Sequence, residues 1–204
     1  VKVKVVIDMG EIYQPIDNIY NEMIVQDALK NRKLHLNEGV DEVSMFKIMY
    51  YMDKIRKTDE SQGIEMKNRQ PIEIVCNSYG GQLYECMALI SKMEKFIEDG
   101  YKIITTLTGK AMSCGQLIFM FGTHRRVYRY GTLLIHKLSN WNTGNYDQLE
   151  VGYEEDKRLQ NLLNNLITSK TKIPLDLLLD KTKGVDWYLS PDDCIKYGMA
   201  DEII

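Results

Sequence analysis

A chain of 204 residues can bury one substantial core, and 44% hydrophobic with 27% charged residues is the composition of a soluble globular protein. A net charge of -3 gives no reason to expect nucleic acid or an anionic membrane surface as a partner. No apolar run approaches the roughly 20 residues that a membrane helix needs. The four cysteines, Cys76, Cys86, Cys114 and Cys194, form no CxxC pair and do not cluster with the three histidines, so neither a zinc site nor a disulfide framework is expected. A reducing, cytoplasmic setting follows as the expectation.

In chain order, Val1 to Ile7 alternates as a strand does, and a turn is expected by Pro15, closing an N-terminal segment over 1–16. Because the chain opens on Val1, an earlier targeting segment is compatible with the sequence. From Asp17 the pattern becomes helical (Ile19, Met23, Ile24, Ala28), and Lys33 to Leu36 alternates again. Asp41 to Lys57 predicts a second helix with Val43, Phe46, Met49 and Tyr50 on one face, followed by an exposed loop from Thr58 to Gln70.

The centre has a clear rhythm. Ile72 to Cys76 predicts a strand that ends in Asn77-Ser78-Tyr79-Gly80-Gly81. A helix carrying Leu83, Met87, Ile90 and Ile97 follows, closed by Asp99-Gly100. Lys102 to Leu107 is the next strand, then a turn through Ser113 and an apolar helix from Leu117 to Phe121. Arg125 to Tyr130 and Thr132 to His136 complete the strands. Strand, small-residue turn and helix in alternation predict an α/β fold of stacked βαβ units on a parallel sheet.

Beyond His136, residues 137–182 change character. A polar stretch from Lys137 to Tyr146 leads to a long amphipathic helix from about Gln148 to Lys170, striped by Leu159, Leu162, Leu163 and Leu166. A short helix starts near Pro174, and Ser190-Pro191-Asp192-Asp193 is a strong helix start, with Gly198 as its stop. A helix pair that leaves the sheet and returns suits contact with another subunit.

In open parallel sheets, sites form where strands end and helices begin. Gly80-Gly81 permits positive φ and close backbone approach. Ser113, with Ala111 and Gly115 on either side, resembles a small-x-Ser-x-Gly elbow whose helix N-terminus favours an oxyanion. On these residues alone, an N-cap serine and a plain turn remain the simpler reading. A serine nucleophile needs a base. His136 ends an apolar strand, whereas His35 suits a structural place and His124 a solvated turn. Asp186, flanked by Val185 and Trp187, suggests a partly enclosed carboxylate that could orient the imidazole, with Asp180 as its more solvated rival. Lys110 is the candidate for a serine–lysine dyad, although it is expected to point away from Ser113.

Four segments together resemble the ClpP-like serine peptidases, the caseinolytic proteolytic subunit family, over nearly the whole of 1–204. Asn77-Ser78-Tyr79-Gly80-Gly81 is similar to the family's Asn-Ser-Pro-Gly-Gly turn. Gly109-Lys110-Ala111-Met112-Ser113-Cys114-Gly115 resembles its nucleophile segment, and Leu134-Ile135-His136 its Met-Ile-His. Asp186-Trp187-Tyr188-Leu189-Ser190 and Tyr197-Gly198-Met199-Ala200-Asp201 resemble its ending. The resemblance implies a ClpP/crotonase-like fold with a protruding handle helix. It implies Ser113 as nucleophile, His136 as general base, Asp186 as its orienter, and the backbone N–H groups of Gly81 and Cys114 as oxyanion hole.

It also implies two stacked heptameric rings around a chamber, polypeptide substrates delivered by AAA+ unfoldases, and no metal or organic cofactor. Tyr79, Cys114 and Leu138 stand where the family usually has proline, methionine and proline. These departures mark a divergent member. A phage enzyme that processes viral capsid proteins without an unfoldase is one variant of that reading. A non-catalytic ClpP-like scaffold subunit and an acyl-CoA enzyme of the crotonase fold are the readings of other classes.

Overall fold

The computed structural model describes residues 9–204, with side chains from residue 20 onward. The strand expected over Val1 to Ile7 lies outside the described residues. The chain is helical from the start of the described part: α1 spans Met9–Lys30, so the turn expected by Pro15 is not made. Met9, Ile12, Ile16, Ile19 and Met23 recur at spacings of three and four, a helical period that runs through Pro15.

Seven strands among the described residues form one sheet. Strands β1 (Lys33–Leu36), β2 (Ile72–Ser78), β3 (Ile103–Met112), β4 (His124–Val127) and β7 (Glu202–Ile203) lie in the order β1-β2-β3-β4-β7, all parallel. The long β3 forks. Its first half pairs with β4, and its last residues, Lys110 to Met112, pair with β5 (Thr132–Ile135). Strand β6 (Trp187–Leu189) adds antiparallel to β5. The expected βαβ order is therefore present, as an α/β fold with a parallel-dominated sheet.

Apolar residues from the sheet and from helices α2 (Glu42–Ser61), α3 (Leu83–Glu98) and α4 (Cys114–Met120) share one core, including Ile74, Leu107, Met52, Leu89 and Phe119. Burying each such side chain contributes about 1.5–3 kcal/mol. Helix α4 is buried on all its residues, as its mostly apolar sequence requires, with Gln116 as a buried polar residue among them.

Helix α2 corrects the expected orientation. Its buried residues are Met45, Ile48, Met52 and Ile55, while Val43, Phe46 and Tyr50 face outward, Phe46 and Tyr50 stacked on each other. Both stripes repeat at three and four, so periodicity could not choose between them. The choice is made by tertiary context at the helix end. Asp59 is fully buried, where it accepts from Arg32 and, at 3.0 Å, from the Tyr101 hydroxyl. That pairing fixes which side of α2 meets the sheet. Burial and the hydrogen bond to Asp59 push the Tyr101 phenol up to about 12. The helix also runs to Ser61, and a 3-10 turn at Met66–Asn68 shortens the loop expected over Thr58 to Gln70.

Helix α5 (Tyr146–Lys170) starts from a capping box between Asn145 and Gln148. Its buried face is Leu159, Leu163, Asn164 and Ile167, whereas Leu162 and Leu166 of the expected stripe are only half-buried. Helix α6 (Leu175–Lys181) is preceded by Pro174 at its N-cap position. Helix α7 (Pro191–Lys196) has the expected Ser190 cap, closed as a box by Asp193, and Gly198 follows it at φ +68. No described helix is long and apolar enough to cross a membrane.

Candidate active site

Ser113 stands between the end of β3 and the first turn of α4 at φ 53, ψ -123. Positive φ is uncommon for a residue with a Cβ and is kept where surrounding structure over-determines it. Three contacts do so here. The Ser113 N–H donates to Leu134 O at 3.2 Å, tying the turn to β5. A Cβ on Gly115 would approach Ser78 O to 3.0 Å, so the helix start lies against the end of β2. A Cβ on Gly80 would meet Met112 O at 2.6 Å and the Ser113 Cβ at 2.7 Å. Ser113 occupies the N-cap position, yet its side chain makes no capping bond. The simpler N-cap reading therefore does not account for the hydroxyl.

Gly80 (φ +94) and Gly81 (φ +153) bring a second backbone turn beside this elbow. Val40 N–H donates to Gly80 O and Gln82 N–H to Val40 O, pinning the turn to the loop before α2. Among the described residues, neither the Gly81 N–H nor the Cys114 N–H has a backbone carbonyl acceptor outside the regular helices and strands. The latter belongs to the first turn of α4, where intrahelical acceptors are lacking. The Cys114 thiol donates to Gly81 O at 3.2 Å, and the Cys86 thiol to Cys114 O at 3.5 Å. The hydrogen bond with Cys86 holds the Cys114 thiol below its ordinary range, while Cys86 is pushed well above it.

These groups open on a cavity of about 420 Å³, lined on one side by Gly81, Ser113, Cys114 and His136. Leu159, Leu163 and Ile167 of α5 line the other. The cavity thus brings together four of the five expected site residues. Asp186 is the exception: it does not line the cavity and it is exposed, not partly enclosed as its flanks suggested. Val185 is itself exposed, and the Trp187 ring packs edge-on against Tyr197 at 5.3 Å.

The ladder still relates the two polar residues. Leu133 pairs with Leu189 and Ile135 with Trp187, where the ladder ends; continuing the same antiparallel register by one residue would set His136 opposite Asp186. Among the described residues, no hydrogen bond joins Ser113 to His136 or His136 to Asp186.

The other candidates separate cleanly. His35 is bonded to Asp27 at 2.8 Å and His124 to Glu202 at 3.0 Å, both away from the cavity. Asp180 is exposed in α6. The Lys110 ammonium sits over the Tyr79 ring, 3.9 Å from its centroid, and does not line the cavity. Cys76 and Cys86 are buried in the core, all four cysteines are free, and no metal-binding cluster occurs among the described residues. Sequence reasoning did not single out Gln160 and Asn164, which line the cavity from α5. The available signal was two polar residues, four apart, interrupting a leucine stripe.

A serine elbow at a strand-to-helix turn of a mostly parallel sheet, with a histidine in the same cavity, defines an α/β protein with a hydrolase-like site. The chain belongs to the Clp protease family, whose profile matches residues 17–204. It is 30% identical to an ATP-dependent Clp protease proteolytic subunit of Deinococcus radiodurans, over 66% of this chain and 65% of that protein, just under two thirds of its length. It is 25% identical to ATP-dependent Clp protease proteolytic subunit 1 of Synechococcus sp. (strain CC9902), over 89% of this chain and 87% of that protein. The same figures hold for subunit 2 of Parasynechococcus marenigrum (strain WH8102).

Proposed function

We propose that this protein is a serine endopeptidase acting on unfolded or partner-delivered polypeptides. The observation that carries the reading is the Ser113 elbow: a hydroxyl without a capping bond, at positive φ, facing a cavity shared with His136. Two N–H groups without a backbone carbonyl acceptor, of Gly81 and Cys114, lie beside it. In the reaction His136 takes the Ser113 proton as the oxygen attacks the substrate carbonyl, and the oxyanion accepts from those two N–H groups. The imidazolium returns the proton to the leaving amine, leaving an acyl-serine that water, activated by the same histidine, then hydrolyses. Asp186 orients the imidazole and offsets its charge.

The relatives are named proteolytic subunits of ATP-dependent proteases. That likeness supports reading this chain as a subunit of stacked rings around a chamber, fed by an AAA+ unfoldase. The parted Ser113, His136 and Asp186 are then the resting arrangement of a lone chain, and ring contacts through α5 bring them into line. The test is hydrolysis of fluorogenic peptides and of unfolded casein by wild type and Ser113→Ala, with assembly followed by sedimentation. Activity abolished in an assembled Ser113→Ala protein is the expected result. Equal activity per subunit in isolated and assembled wild type would overturn the resting-state account. An inert wild type that assembles would move the scaffold reading to the front.

A further inference from the structure

Past β5 the backbone leaves the sheet, and the N–H of Leu138 has no ladder partner. A half-buried N–H must be satisfied by another group or by water. Here it donates to Oε1 of Gln160 in α5 at 2.7 Å. The Gln160 amide group donates in turn to Asn164 Oδ1 at 2.9 Å, which orients the carboxamide toward Leu138. One helical turn before Gln160, Asp156 accepts from Asn140 Nδ2 at 2.9 Å and from Asn142 Nδ2 at 2.7 Å. Asp156, Gln160 and Asn164 recur every four residues, so they form one polar row along α5. That row carries the segment leaving His136.

Leu138, Gln160 and Asn164 line the same cavity as Ser113 and His136. Only Lys137 separates His136 from Leu138, so the anchored N–H is two residues from the imidazole-bearing Cα. A proline at position 138 would carry no N–H and need no acceptor. The leucine found there creates the need, and Gln160 meets it.

We propose that Gln160 is a positioning residue for His136: through the Leu138 N–H it fixes where β5 ends, and so couples the base to the placement of α5. The proposal rests on the reading of His136 as general base. It explains how a shift of α5 on ring assembly reaches the histidine without passing through the sheet.

The test uses the full chain with a fluorogenic peptide and three variants at one position. Gln160→Met keeps the length and loses the acceptor, and Gln160→Ala repeats the loss in a residue that suits a helix. Gln160→Glu keeps the acceptor oxygen, loses the donor to Asn164 and adds a negative charge to the cavity wall. The expected result is a roughly tenfold fall in kcat for Gln160→Met and Gln160→Ala, the scale of a misplaced catalytic group. KM should stay within about twofold, since substrate binding is not removed. Gln160→Glu should recover most of the loss.

An unchanged kcat in both acceptor-free variants, or a raised KM at constant kcat, would overturn the proposal and leave Gln160 as cavity wall. A Gln160→Glu protein no better than Gln160→Met would do the same. His136→Ala is run alongside. If it retains activity, the base reading itself has failed; if it is dead while Gln160→Met is normal, only the positioning role has.

Discussion

The two halves of the site are held by different means. On the nucleophile side, Ser113, Gly80 and Gly81 are fixed by backbone. The turn is bonded to β5 and to the loop before α2, and methyl-sized additions at either glycine would collide with main-chain atoms. On the base side, His136 and Asp186 sit just past the end of a three-rung ladder. The segment that follows His136 is carried by side-chain hydrogen bonds from α5. Backbone held within a packed sheet has essentially one arrangement, whereas side-chain bonds at a half-exposed segment can be exchanged for water. The difference teaches that this fold builds the Ser113 elbow and the Gly80-Gly81 turn into its backbone and leaves the segment after His136 to side chains of α5; on the proposed reading, the nucleophile is held by the sheet and its base by what α5 touches.

Perturbing each half should break that comparison in a different way. The largest effect after loss of Ser113 itself belongs to Asp186→Asn, which keeps the shape but cannot stabilise an imidazolium. A fall in kcat of about 10²–10⁴ is expected, with assembly and melting unchanged. Gly81→Ala should follow, with a loss of about 10²–10³ in kcat from the displaced oxyanion donor. It should also lower the melting temperature, because its Cβ would come 2.2 Å from Val40 O. A melting temperature as high as wild type would show that the nucleophile side is less constrained than described.

The smallest effect is on stability alone. The side-chain bonds from Arg125 hold the Asp201 carboxyl below its ordinary value of 3.8. A carboxylate whose folded value is lowered contributes stability that is full above the ordinary value and lost as pH falls through the folded one. Asp201→Asn should therefore melt lower than wild type at about pH 7, and the gap should close as pH falls through the lowered value of the folded carboxyl. A gap that persists in acid would assign the cost to packing, not charge.

Legibility in the sequence followed the same division. The order of strands and helices, the Ser190 cap and the elbow were readable because each is written in adjacent residues: alternation, small-residue turns, capping types. What escaped was decided between distant residues. Either 3-4 stripe of α2 could have been buried, and the Arg32–Asp59–Tyr101 pairing chose. Strands β6 and β7 are too short to show alternation and exist only as partners of β5 and β4. Asp186 reads as enclosed between Val185 and Trp187, but it lies in the exposed connection before β6, where Val185 is exposed too. The polar pair Gln160 and Asn164 is visible in the sequence, but the role of Gln160 is not, since the donor it serves lies 22 residues away.

The central claim is that Ser113 is an activated nucleophile whose base is His136. The direct measurement is reaction of the assembled protein with a fluorophosphonate, the adduct located by peptide mass spectrometry, in wild type and His136→Ala. The account predicts an adduct on Ser113 in wild type that disappears in the histidine variant. Labelling of Ser113 at the same rate in both proteins, or no labelling of assembled wild type, would contradict it.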